Sequence, residues 1–156
     1  MSLLSGTASD ARSLSFYHTH TGKTLSVVYY EHGAYVASAL DAIDDYLKDF
    51  RNGEGHRMDP ALLDVLFDIK LKTGTRAPFQ VISAYRSPDT NHMLRSKSAG
   101  VAKDSMHLRG QAIDVRLADV PIVKLRAVAL DLQKGGVGFY PESQFVHVDT
   151  GRVRWW

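Results

Sequence analysis

Between Gln111 and Leu117 the side chains alternate without a break, with Ala112, Asp114 and Arg116 on one side of the chain and Ile113, Val115 and Leu117 on the other. A strand of this pattern belongs in a sheet that buries its apolar face against a core and carries an acid on the opposite face. Two further strands follow, Val137 to Tyr140 and Phe145 to Val148, joined by a turn at Pro141, Glu142 and Ser143. They read as a terminal hairpin.

The N-terminal part of the chain supplies a second hairpin. Leu14 to Tyr17 and Thr24 to Tyr30 are rich in aromatic and β-branched residues, with a turn signal at Thr21, Gly22 and Lys23. Apolar residues at Val36, Leu40, Ile43, Leu47 and Phe50 have the spacing of one helix face, ended by Asn52 and Gly53. A second helix is better marked. Asp59 is a natural N-cap, Pro60 fits the first helical position, Leu62, Leu63, Leu66, Phe67 and Ile69 form the buried stripe, and Gly74 stops it. Phe79 to Ile82 reads as a strand, Ser87 and Pro88 start a helix running to about Lys97, and Pro121 to Lys134 reads as the last helix.

Helices and strands do not alternate regularly enough for a doubly wound parallel sheet, and no repeat or linker interrupts the chain. The expected fold is α+β, a single domain over residues 12–156 with a central antiparallel sheet flanked by helices. Residues 1–11 are expected to form a disordered or appended N-terminal segment.

Composition excludes several classes. A chain of 156 residues without cysteine has no disulfide framework, and no apolar run is long enough to span a bilayer. Lysine and arginine are dispersed along a chain of formal charge +2, so no clustered basic stripe suggests nucleic acid. The start, Met1 to Gly6, lacks the basic and apolar regions of an export signal.

What the chain does possess is His107 and Asp114 around Gly110, and His147 in the terminal hairpin. Two imidazoles and one carboxylate suit a catalytic zinc ion, which keeps its fourth position for water, whereas a structural site is usually closed and often rich in cysteine. Zinc would lower the pKa of its water to about 7 and polarise a substrate carbonyl, which is the chemistry of amide hydrolysis. A base for the water's proton and a cation for the oxyanion are also needed. Asp149 and Arg86 are the candidates, with Glu142 a second choice as base.

Ser105 to Asp114, of the pattern Ser-x-His-x-x-Gly-x-Ala-x-Asp, resembles the signature of the zinc D-alanyl-D-alanine carboxypeptidases, whose superfamily also holds the hedgehog signalling domain. Ser83 to Ser87, Gly135 to Tyr140 and Phe145 to Gly151 are similar to a bacterial branch long labelled as of unknown function, the murein endopeptidase K-like branch. The resemblance implies a hedgehog/D-Ala-D-Ala-peptidase-like fold and zinc ligands at His107, Asp114 and His147. It also implies Arg86 near a substrate carbonyl or carboxylate, peptidoglycan peptide stems or cross-links as substrate, and a periplasmic or otherwise exported location with the export signal missing from this sequence. One position departs from the pattern. Many relatives have Glu or Asp three residues before the last ligand, where this chain has Gln144.

Two other functions compete with a cross-link endopeptidase: a non-catalytic, zinc-stabilised cell-wall-binding module, and a D-alanyl-D-alanine carboxypeptidase. The absence of an acid at Gln144 favours the first. Ser105 is expected to orient a ligand through a hydrogen bond. Tyr85, Phe139 and Tyr140 read either as lining of a substrate groove or, the commoner role of aromatics flanking short strands, as core or rim packing. His18 and His20 share a strand face but read as a solvated strand end, and one of Trp155 and Trp156 is expected to pack on the domain.

Overall fold

The computed structural model describes residues 10–156. Its strands are β1 (Arg12–His18), β2 (Thr24–Glu31), β3 (Ala34–Tyr35), β4 (Phe79–Ser83), β5 (Ala112–Arg116), β6 (Gly136–Tyr140), β7 (Phe145–Asp149) and β8 (Arg154–Trp155). The helices are α1 (Ala37–Tyr46), α2 (Pro60–Thr73), α3 (Pro88–Lys97) and α4 (Ile122–Leu132), with a 3-10 turn at Met106–Arg109. All eight strands form one sheet in the order β3-β2-β1-β4-β5-β7-β6-β8. The arrangement is α+β, as the sequence predicts.

Most of the ladder is antiparallel, including the whole run from β4 through β5 and β7 to β6. Two pairings are parallel, β1 with β4 and β6 with β8, so the sheet is mixed. The β1–β4 pairing needs a long crossover, which β2, β3, α1 and α2 provide. The short strands β3 and β8 lack enough residues to show a period of two, and the sequence reading did not find them. Of residues 1–11, assigned above to an appended segment, only Asp10 and Ala11 are described. The Asp10 carboxylate accepts from the backbone N–H groups of His32 and Gly33, which ties it to the turn after β2.

Helix α2 begins and ends as its sequence signals require. Asp59 accepts from the Ala61 N–H at 2.9 Å, Pro60 occupies the first turn, and Gly74 closes the helix in the left-handed conformation at φ 68°. Leu62, Leu63, Leu66 and Ile69 are wholly buried, and each such side chain contributes roughly 1.5–3 kcal/mol. Helix α1 ends at Tyr46, earlier than the spacing predicts, because Leu47 leaves the helix while remaining in the core.

Val115 of β5, Val146 and Val148 of β7 and Val137 of β6 share the core with α2 and α4. Alternation then turns Asp114, His147 and Gly138 to the other face of the sheet. That face carries the site.

Candidate metal centre and its cleft

Register sets the site. Asp114 pairs across to His147 and His147 to Gly138, while Ser83 of β4 flanks Asp114 on the other side, so one row crosses four neighbouring strands. His107 joins from the 3-10 turn. The Ser105 hydroxyl accepts from the His107 N–H at 3.2 Å, which caps that turn and sets the residue's backbone. Gly110 ends the turn at φ 67°, and a Cβ there would stand 2.2 Å from the Arg57 carbonyl oxygen. Only glycine makes the reversal that brings a loop histidine and a strand aspartate together.

His107 Nε2 lies 3.3 Å from Asp114 Oδ1, and His147 Nδ1 lies 3.1 Å from the same oxygen. Among the described residues, these three are the His, Cys, Asp or Glu group close enough together to hold a metal ion, and all three are buried. Ligands at about 2.0–2.2 Å from a tetrahedral ion stand about 3.3 Å from one another, so the observed spacing fits such an ion. The tautomers fit as well. His107 Nδ1 donates to the Ala84 carbonyl at 2.7 Å, leaving the Nε2 lone pair for the centre. His147 Nε2 donates to Asp149 Oδ2 at 2.7 Å, leaving Nδ1 free in the same way. Burial raises the pKa of Asp114, but the two imidazoles outweigh it and hold the carboxyl well below the usual range.

Asp149 does not face the cleft. Its side chain is wholly buried behind His147, where Oδ1 accepts from the Gly136 and Gly151 N–H groups and both oxygens accept from Arg154. Burial works against its ionised form, yet His147, Arg154 and the Gly136 N–H together hold it far below the ordinary carboxylate value.

The metal-capable group lies in a cavity of about 750 Å³, whose walls include Arg86, Asp104, Tyr140, Phe145, Arg152 and Trp156. Arg86 is buried at 9% exposure. Its Nη1 donates to Asn91 Oδ1 at 3.1 Å, its Nε has no hydrogen-bond partner, and its backbone N–H donates to the His107 carbonyl. Burial lowers the pKa of the guanidinium, and the charge of Asp114 is the strongest influence pulling it back up. A buried cation with donors to spare is suited to a carbonyl or carboxylate oxygen of a ligand.

Other candidates fall elsewhere. Tyr85 is buried under His56, with ring centroids 5.1 Å apart, and is not among the cavity-lining residues. Gln144 and Glu142 are exposed in the turn between β6 and β7, and Gln144 takes a left-handed φ of 57°. Neither lines the cavity, whose acidic walls are Asp104 and Asp114. His18 is buried against Tyr46 and Phe50, a correction to its reading as a solvated strand end; packing from α1 and the following loop covers it.

Sequence reasoning missed Arg154 and Asp59. Asp59 was read as a helix cap alone, yet its N–H donates to the Gly110 carbonyl and its Oδ2 accepts from the Thr150 hydroxyl at 2.8 Å. It thereby ties α2 to both chain segments that carry the site.

The profile of the family described as peptidoglycan L,D-endopeptidase MepK matches residues 6–156. The chain belongs to that family. Within it, the peptidoglycan L,D-endopeptidase MepK of Escherichia coli (strain K12) is 40% identical over 145 residues, 93% of this chain and 80% of that protein. The probable peptidoglycan L,D-endopeptidase MepK of Haemophilus influenzae (strain ATCC 51907 / DSM 11121 / KW20 / Rd) is 43% identical over 146 residues, 93% of this chain and 78% of that protein. No solved structure matches. Membership of the MepK family, a metallopeptidase family, implies a metal, and His107, Asp114 and His147 form the group present to hold it. No helix among the described residues is long and apolar enough to cross a membrane.

Proposed function

We propose that the chain is a zinc-dependent endopeptidase that hydrolyses an amide bond in peptidoglycan cross-links, outside the cytoplasmic membrane. The observation that carries the reading is the convergence of His107 Nε2, Asp114 Oδ1 and His147 Nδ1 in an open cleft. Similarity to proteins named peptidoglycan L,D-endopeptidases supplies the substrate class and, since peptidoglycan lies outside that membrane, the location.

Bound at this group, zinc supplies Lewis-acid polarisation of the scissile carbonyl and a lowered pKa for water. The protein's own contributions follow from where its side chains stand. Arg86 donates to the carbonyl oxygen as negative charge develops on it, or to a nearby peptide carboxylate. Tyr140 and Phe145, stacked with centroids 4.6 Å apart, and Trp156 form an aromatic wall that excludes water from one side of the peptide. Ser105 holds the His107 backbone. Asp149 acts through His147, fixing its tautomer, because a fully hydrogen-bonded carboxylate behind the ring is poorly placed to take a proton from water in the cleft.

Digestion of purified cross-linked muropeptides, with and without a chelator, tests the reading. Metal-dependent cleavage of the cross-link is expected, and its absence at stoichiometric enzyme would leave a zinc-stabilised binding module instead. Preference for uncross-linked pentapeptide monomers would identify a carboxypeptidase.

A further inference from the structure

The residues that follow β7 return to the site from behind. Strand β8 runs parallel to β6, pairing Gly136 with Arg154 and Val137 with Trp155. The ladder extends one residue further, since the Trp156 N–H donates to the Val137 carbonyl and the Phe139 N–H donates to the Trp156 carbonyl. Trp156 is thereby laid over Gly138, the residue paired with His147. A Cβ on Gly138 would stand 2.6 Å from the Trp156 ring, so the glycine is what lets the indole lie against the sheet.

From this position Trp156 packs on His147, and Arg154 meets it through Asp149. The indole centroid is 5.0 Å from the imidazole centroid, and Trp156 Nε1 donates to the Tyr140 hydroxyl at 2.8 Å. The Arg154 guanidinium sits 5.0 Å from the Trp156 ring and forks onto Asp149, Nη1 to Oδ1 at 3.0 Å and Nη2 to Oδ2 at 2.9 Å. Asp149 Oδ2 in turn accepts from His147 Nε2. An imidazole on a strand can rotate about two bonds, and a metal ligand must not. Here one ring nitrogen is fixed by Asp149 and the indole packs against the ring, and Arg154 touches both of these restraints.

We propose that Arg154 is a positioning residue of the metal centre, holding Asp149 and Trp156 so that His147 presents Nδ1 to the cleft. The proposal rests on the assignment of His107, Asp114 and His147 as metal ligands. Geometry favours arginine over lysine at this position, because two parallel N–H groups lock the carboxylate plane, whereas an ammonium fixes only its distance.

Binding of Zn2+ alone, measured by competition with a chromophoric chelator, reads the effect without turnover. In Arg154→Gln, zinc affinity should fall about 10-fold, the low end of the range for losing a partner behind a histidine ligand, because Asp149 keeps its two backbone donors, and Arg154→Lys should recover part of it. Trp156→Ala, which removes a half-exposed ring and leaves the Arg154–Asp149 pair, should lose several-fold. Leu66→Ala serves as control, because its side chain lies in the core on the other face of the sheet; it should lower stability and leave zinc affinity unchanged. If wild-type protein binds zinc, His147→Ala does not, and folded Arg154→Gln binds within twofold of wild type, the proposal is overturned. Should Arg154→Gln fail to fold, affinities within twofold of wild type in Arg154→Lys and Trp156→Ala overturn it equally. Failure of wild-type protein to bind zinc would instead remove the ligand assignment itself.

Discussion

Asp149 Oδ2 lies 2.7 Å from His147 Nε2, on the ring nitrogen that does not face Asp114. The two possible duties of this carboxylate predict different outcomes for Asp149→Asn. If it takes a proton from water, zinc affinity survives and turnover is lost. An orienting partner predicts that zinc affinity itself falls about 10- to 100-fold, because the amide can offer either a donor or an acceptor and no longer fixes the tautomer. Zinc titration of the purified variant separates the two, and unchanged affinity would restore Asp149 as a candidate base.

Zinc should stabilise the folded chain measurably. At a free concentration of one hundred times Kd it adds about 2.7 kcal/mol, a rise in Tm of roughly 5 to 10 °C for a domain of this length. His147→Ala should abolish the shift, and so should a chelator. A shift that persists in His147→Ala would place the metal somewhere else.

Arg86→Gln should separate binding of metal from turnover. The Arg86 side chain donates to Asn91 and to no ligand of the centre, and its backbone bond to His107 survives the substitution, so zinc affinity should remain. Loss of an oxyanion donor lowers kcat by about 10²- to 10³-fold. A kcat within threefold of wild type, with KM raised instead, would reassign Arg86 to anchoring a carboxylate of the substrate.

Gly110→Ala should cost at least about 2 kcal/mol in urea denaturation, since it combines a left-handed φ with a Cβ driven against the Arg57 carbonyl. Zinc affinity should drop with it, because Gly110 joins the turn of His107 to the strand of Asp114. Wild-type stability in this variant would mean that the turn relaxes freely.

Burial, aided by the neighbouring positive charges of His20 and Arg51, pulls the pKa of His18 down to about 4 from 6.5. Its Nδ1 accepts from the His20 N–H, which requires the neutral ring. The unfolded chain therefore takes up a proton near 6.5 that the folded chain refuses until about 4, so stability is full above this window and falls as pH drops through it. His18→Gln should flatten that fall. Equal acid sensitivity of the urea midpoint in both proteins would assign the loss to other groups.

The convergence of His107, Asp114 and His147 was legible because a strand's alternation fixes which face Asp114 occupies, and residue type narrows what an acid and two imidazoles can do together. Helix α2 was legible for the same reason, since Asp59, Pro60 and Gly74 each leave a local mark. What sequence could not yield was set by distant pairing. Nothing near Asp149 announces that Arg154 will neutralise it or that its side chain will turn away from the cleft; both follow from β8 joining β6. The one advance signal was Gly138, a glycine inside a strand beside the strand of His147, which marks the close approach of another group.

The cross-strand row of Gly138, His147 and Asp114 has a consequence for how the protein is assembled. Slipping β7 by a single residue against β5 would carry His147 to the core side and bring Val146 or Val148 to the metal side. No partly correct pairing keeps the centre. If His107, Asp114 and His147 hold the metal as proposed, its uptake during refolding reports the completed register of the sheet, and a misregistered chain is silent in that assay however compact it has become.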